Sequence, residues 1–363
     1  MPTMTSFNSA TFAAMTQAEQ DQYLLGLWDS GSTYAAITVL VGLPNNQAAY
    51  HAVQRAARRA GRSAESMRRR EYRPMRRNAV AAAPSSGRLA GLLNRRFGVE
   101  LEHSNGLSDS ARANALRAAG LAASTPGYTH AVTADWKVIY DGSTGGEVVS
   151  PVLRGEDGFA QVRTAMQVLK SLRAGAGRSA SVHVHFDVND LDRVALGRLA
   201  ESLENVQAAL MAYVADSRLG NTYAPALSAS QWATIRRNIE SGRIAPRAGS
   251  RSDRDYGSGV SRYGAFNFNS VLVYGTVEFR LHGATFNPAK IKPWIAVGMA
   301  LVEYAKQGGV FSAPTSVSAM LDALVSAGVL SRRLAANYRA GVAQREASGA
   351  PRRRHYIPEA LAA

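Results

Sequence analysis

Tyr274–Lys290 reads Y-G-T-V-E-F-R-L-H-G-A-T-F-N-P-A-K, and its first half alternates. Val277, Phe279 and Leu281 fall on one face of an extended chain, while Thr276, Glu278, Arg280 and His282 fall on the other. The pattern predicts a half-buried strand whose second face carries a carboxylate, a guanidinium and an imidazole in a row. Two upstream segments repeat the design. In Phe97–Glu102 (F-G-V-E-L-E) the apolar residues share one face and Glu100 and Glu102 the other. In Ser181–Asp187 (S-V-H-V-H-F-D), Val182, Val184 and Phe186 oppose His183, His185 and Asp187. Placed in one sheet with their polar faces together, these strands would gather carboxylates, imidazoles and a guanidinium on one concave surface. That donor set suits a divalent metal and phosphate.

Composition narrows the classes. A chain of 363 residues is long enough for about two domains, and it contains no cysteine. Disulfide staples, thiolate catalysis and cysteine-based zinc sites are therefore excluded. No stretch reaches the roughly 18 apolar residues of a membrane span, and the first residues lack a signal-peptide pattern. A cytoplasmic protein without membrane contact is the expectation. The net charge of +15 is concentrated from Arg55 to Arg96 and from Arg332 to Arg354. A compositional bias towards arginine would raise the charge evenly, so this clustering points to a polyanionic partner.

Along the chain, residues 1–61 read as a small all-α module. Thr16 and Glu19 form a capping box opening a first helix, a second spans Thr33–Val41, and Gly42-Leu43-Pro44 breaks into a third from about Asn45 to Ala60. The arrangement resembles a helix-turn-helix. In one, Asn45, Asn46, Gln47 and His51 would approach base edges and Arg55, Arg58 and Arg59 phosphates, making nucleic acid or an acidic partner the expected ligand. A bundle that docks on protein is the alternative. Residues 62–87 read as a basic linker, 88–325 as the main domain, and 326–363 as a basic C-terminal helix and tail. In the main domain, helices are expected at Ser110–Ala123, Phe159–Leu172, Val194–Arg218 and from Pro288, where Asn287 caps and Pro293 ends or restarts the first turn. Tyr263–Tyr274 and Thr276–His282 are expected to pair as a hairpin. Long helices alternating with hairpins indicate an α+β fold built on an antiparallel sheet, with helices on one face.

The motifs differ in specificity. Glu100 and Glu102 project side by side about 7 Å apart and suit hard cations, although a charged edge strand is the common fate of such a pair. Same-face His183 and His185 within an apolar strand are seldom core filler, and imidazole suits Mn²⁺ or Zn²⁺. Glu278 and Arg280 set a ligand-grade carboxylate beside a group that forks across phosphate oxygens; an ordinary ion pair is the alternative. A metal-dependent hydrolase built on His183-x-His185 would need further ligands, and only His282 and His355 follow. A non-enzymatic nucleic-acid-binding or virion-associated protein is the other rival reading.

Taken in order, F-G-V-E-L-E, D-G-S…G-E-V-V-S-P, V-H-V-H-F-D, R-Y-G-A-F-N-F and T-V-E-F-R-L-H-G-A-T-F-N-P…W-I resemble the amidoligase family, within the glutamine-synthetase-like carboxylate–amine ligases. The likeness covers roughly residues 95–306. It implies a concave antiparallel sheet holding Mg²⁺ or Mn²⁺ and ATP, and an ATP-dependent ligase that forms an amide through an acyl phosphate. By the matching motifs, Glu100, Glu102, Glu147, His183 and Glu278 would be metal ligands, with His185 beside them. Arg280 and Arg262 would neutralise phosphate. Asp141 and Ser143 would lie near the ligand, and Asn221 and Tyr223 on the substrate side. Asp135 or Asp141 would serve as base towards the amine. An amine and a carboxylate, small or peptidic, are the implied substrates, and assembly in the wider superfamily makes a homo-oligomer an expectation.

Overall fold

The computed structural model describes residues 12–29, 37–38, 41–44, 46–62, 93–104, 108–140, 142, 144–219 and 221–347. The chain divides into two compact units, Met1–Ser85 and Ser86–Ala363.

In the first unit, helix α1 (Gln17–Asp29) opens on the capping box read from the sequence. The Thr16 amide donates to Glu19 at 2.8 Å and the Glu19 amide donates back to the Thr16 hydroxyl at 3.4 Å. Helix α2 (Asn46–Arg59) turns Ala49, Ala52, Val53, Ala56 and Ala57 into a small core with Leu24, Leu25, Ile37 and Val41. Arg59 reaches across to Asp21 at 2.6 Å. Most of the expected second helix, Asn45, nearly all of the basic linker and the C-terminal tail lie outside the described residues.

The second unit is organised by a seven-stranded sheet of order β2-β3-β4-β1-β5-β7-β6. Its strands are β1 (Phe97–His103), β2 (Ala123–Ser124), β3 (Trp136–Ile139), β4 (Gly146–Val149), β5 (Ser181–Asp187), β6 (Phe266–Asn267) and β7 (Thr276–Gly283). All neighbours are antiparallel except β2 and β3. One face is apolar by alternation. Phe97, Val99, Leu101, Val138, Val148, Val182, Val184, Phe186, Val277 and Phe279 are all buried. Helices α3 (Asp109–Ala118), α4 (Gly155–Ser171), α5 (Arg193–Met211), α6 (Ala229–Glu240), α8 (Pro288–Lys306), α9 (Val317–Ser326) and α10 (Arg332–Ala347) share one core with that face. The fold is thus α+β on a largely antiparallel sheet. Helix α10 contributes Leu334, Ala335 and Tyr338 to this same core.

Two helices end sooner than expected, α3 at Ala118 and α5 at Met211, and three further expectations change. Residues after Asn267 do not extend into a hairpin arm: Asn269–Tyr274 forms the short helix α7. Val271, Leu272 and Val273 favour a strand locally, but tertiary bonds decide. The Asn269 side chain accepts from the Ser258 amide at 2.6 Å and donates to the Val260 carbonyl at 3.0 Å. Gly275, at φ 71°, then closes the helix in the left-handed region. Helix α8 is capped by Asn287 and runs unbroken through Pro293 to Lys306, since one missing donor near its start does not stop it.

The third change matters most for the site. Val182 opposes His282 and Val184 opposes Phe279, so between these pairs β5 advances two residues and β7 three. This bulge moves His282 off the polar face. Its ring lies 5.9 Å from Tyr213 and 5.5 Å from Trp294, among the helices.

Arg95 secures the sheet's start. Its buried guanidinium donates to the Asp187 carbonyl, to Asp190 at 2.7 Å and to Glu303 at 2.8 Å, joining β1, the end of β5 and α8. Helix α8 comes close to the sheet at Gly298, where a Cβ would lie 2.2 Å from the Phe186 ring. Alanine would gain up to about 1 kcal/mol in helix propensity, but overpacking costs about 1–3 kcal/mol. Gly298→Ala is therefore expected to lower the urea unfolding midpoint. An equal or higher midpoint would show that α8 does not seat on Phe186.

Candidate functional site

Residues directly opposed in neighbouring strands project to the same side. Glu100 opposes His183, His185 opposes Glu278, Glu102 opposes Glu147, and Asn267 opposes Glu278. Strand pairing therefore collects these groups on the polar face without any loop having to deliver them.

Glu100 is the hub. One carboxylate oxygen lies 2.9 Å from His183 Nδ1 and the other 3.2 Å from His185 Nε2. His183 Nε2 lies 2.7 Å from the Ser181 hydroxyl, which bonds Glu102 at 2.5 Å. The Ser181 amide donates to the same Glu102 oxygen at 2.8 Å. On the other side, Glu278 takes 2.5 Å and 2.7 Å bonds from Arg280 and Asn267, with the Ser270 hydroxyl at 3.2 Å. His185 Nδ1 meets the Thr276 hydroxyl at 3.0 Å, which turns its Nε2 towards the carboxylates. One ligand atom each from Glu100, His185 and Glu278 fall within 4.8 Å of one another. The Glu100 side chain remains 26% exposed and the Glu278 side chain 4%, so the cluster opens to solvent on the Glu100 side.

Electrostatics keep the acids ionised. Burial opposes charge on Glu100, but hydrogen bonds and charge from His183 and His185 prevail, holding its carboxyl well below the usual range. Burial likewise works against Glu278, and Arg280 followed by His185 outweighs it, lowering that carboxyl to about 2. For His185, burial favours the neutral ring, yet Glu278 and Glu100 raise its pKa. Desolvation pulls on Arg280 too, and Glu278 and Glu100 more than restore its charge. Its Nε is buried with no hydrogen-bond acceptor among the described residues.

The family model described as "putative amidoligase enzyme" matches residues 93–302. The chain belongs to the amidoligase family. That membership makes it one of a family of amide-bond-forming ligases. No curated protein matches the chain. Among solved structures it is similar to the complex between the prokaryotic ubiquitin-like protein Pup and its ligase PafA, at 9% identity and a TM-score of 0.33. That match covers 72% of this chain and 65% of the other, so the chain spans about two thirds of the length of that neighbour. At this level of superposition the likeness adds nothing to the assignment.

The other predicted residues of the amidoligase are more scattered. Glu147 is buried on the polar face opposite Glu102. Arg262 pairs with Asp255 at 3.1 Å and with the Tyr263 hydroxyl at 2.9 Å, partners outside the carboxylate–imidazole cluster. Tyr223 is exposed, its ring 5.9 Å from that of Tyr263, and the Asn221 side chain accepts from the Tyr223 amide. Asp187 bonds Arg96 at 2.5 Å, outside the carboxylate–imidazole cluster. Asp135 lies just before β3, where its carbonyl accepts from Thr133. Asp141 and Ser143 lie outside the described residues.

Sequence reasoning passed over Lys137, Asn267, Ser181 and Arg218. Lys137 opposes Val149, which opposes Glu100, so it shares the polar face. It is buried, donates to the Ala131 carbonyl at 2.8 Å, and burial lowers its pKa. The signal was present in Trp136-Lys137-Val138, a lysine between two core residues. Arg218 is buried and donates to the Arg280 carbonyl at 2.9 Å, supporting β7 at its bulge. No local pattern marks it.

His282 and His103 carry a pH consequence. Burial pushes each down to about 4. Both are neutral when folded and take up protons more readily when unfolded. Stability is therefore complete above the unfolded value of about 6.5 and is lost as pH falls from there towards 4. His282→Gln is expected to flatten part of that acid limb in melting temperature against pH. A limb unchanged in the variant would place His282 in contact with water.

Proposed function

We propose that this amidoligase joins a carboxylate to an amine at the expense of ATP, with Mg²⁺ or Mn²⁺, through an acyl phosphate. The observation that carries the reading is the convergence of Glu100, His183, His185, Glu278 and Arg280 on one sheet face. Two features support a metal and phosphate there. The donor set mixes ionised carboxylates with imidazole at ligand spacing, and the unpartnered Arg280 Nε is the kind of buried donor a phosphate oxygen satisfies.

Glu100, Glu278 and His185 would hold one cation, with His183, Glu102 and Glu147 completing the set along β5, β1 and β4. A divalent ion so held would supply charge for the phosphate oxygens. The chain's own groups do the rest. Arg280, permanently charged, would take up negative charge on the phosphoryl group as it passes from ATP to the substrate carboxylate, leaving ADP. The amine then attacks the acyl carbon, phosphate departs, and the amine proton leaves to a base. Arg262, now paired with Asp255, would turn to the nucleotide or substrate phosphate. Asn267, Ser270 and Thr276 orient Glu278 and His185 so that the acceptor atoms are set before ligand arrives.

The rival metal-hydrolase reading needed further ligands after His183-x-His185. His282 faces the helices, and His355 lies outside the described residues.

With Mg²⁺ and ATP, candidate amines and carboxylates are expected to stimulate ADP release. Glu278→Ala should reduce the rate by two orders of magnitude or more, because it removes a ligand and leaves Arg280 unpaired. Full activity in that variant would defeat the assignment. Mn²⁺ affinity, read by calorimetry, is expected to weaken as pH falls through the raised pKa of His185, since a ligating ring must be neutral. Affinity flat across that range would remove His185 from the site.

A further inference from the structure

We infer that the exposed face of α2 binds duplex DNA in the major groove, independently of the catalytic chemistry. On a helix of 3.6 residues per turn, Gln47, His51, Gln54, Arg55 and Arg58 share one face. The opposite face is committed to packing: Ala49, Ala52, Val53, Ala56 and Ala57 are buried in the unit's core. Gln47, His51, Arg55 and Arg58 are all exposed, with Gln54 at the margin. Arg59, at the boundary between the faces, is engaged by its 2.6 Å pair with Asp21, which ties α2 to α1. Arg55 and Arg58 are therefore not the arginine that holds the helix in place.

The composition of the face selects the partner. Among its described side chains none is large and apolar, whereas protein interfaces are commonly centred on aromatic or apolar anchors. Instead it places amide and imidazole groups, which read base edges, towards the start of the helix and guanidinium groups, which neutralise phosphate, towards its end. The face from Gln47 to Arg58 is roughly 16 Å long, and a helix of that kind enters the B-form major groove, about 12 Å wide. The A-form groove of duplex RNA is too narrow for it. Charge continues in the same direction along the chain, with ten arginines and two glutamates between Asn46 and Arg77.

The test uses the full chain and a fluorescein-labelled 20-base-pair DNA duplex of mixed sequence, followed by anisotropy from 50 to 200 mM salt. Binding is expected to weaken steeply with salt. The double variant Arg55→Ala, Arg58→Ala should lose about tenfold in affinity and lower the slope of log K against log salt by about two. The Arg55→Lys, Arg58→Lys variant should keep the slope, and Lys292→Ala, in the second unit, should change nothing. Circular dichroism matching the parent shows that loss of binding is not loss of fold. Wild-type binding by the alanine variant would overturn the proposal. Equal affinity for an A-form RNA duplex, or for an acidic peptide in place of DNA, would overturn it as well, as would absence of DNA binding by the parent at 50 mM salt.

Discussion

Two carboxylates cannot stay ionised a few ångströms apart on a partly buried surface unless positive charge and hydrogen bonds meet them there. Glu100 and Glu278 are in that position, and Arg280, His183 and His185 meet the need. Removing one partner from such a group leaves an uncompensated buried charge, which costs far more than the pair contributes. The central strands β1, β5 and β7 must therefore pair in one register, since a slip of one residue would send every charged group into the helices and every valine out to water.

The same pairing defines the site's geometry. Its first groups stand on strand backbones held by ladder bonds on both sides, so their positions inherit the precision of the sheet. Asn267, Ser181 and Thr276 then fix side-chain orientation. Ionised carboxylates beside imidazoles and a guanidinium form a charged surface whose groups are already oriented by the sheet. The bulge in β7 limits the cluster: one extra residue carries His282 to Tyr213 and Trp294 and leaves Arg280 as the last charged group of that strand in the site.

The N-terminal unit obeys a different economy. Its core is small, α2 contributes mostly alanine to it, and α2 divides its surface sharply between packing and charge. The carboxylate–imidazole cluster of the sheet does not involve those arginines.

Much of this was readable from one sequence. Alternation in F-G-V-E-L-E, V-H-V-H-F-D and T-V-E-F-R-L-H determined which side chains share a face, because the two-residue period of a strand is a local property. The capping box at Thr16 and the Asn287–Pro288 start of α8 were equally local. Lys137 was legible in principle, as a lysine alternating with core residues. Tertiary structure alone decided the strand order, the bulge that removes His282 from the polar face, the helix at Asn269–Tyr274 and the support from Arg218. Each depends on partners outside its own element: His282 on Val182, Asn269 on Ser258 and Val260, Arg218 on the carbonyls of β7. A single-strand pattern carries the direction of a side chain only as far as the ladder stays regular, and where one extra residue enters, packing energy chooses the face.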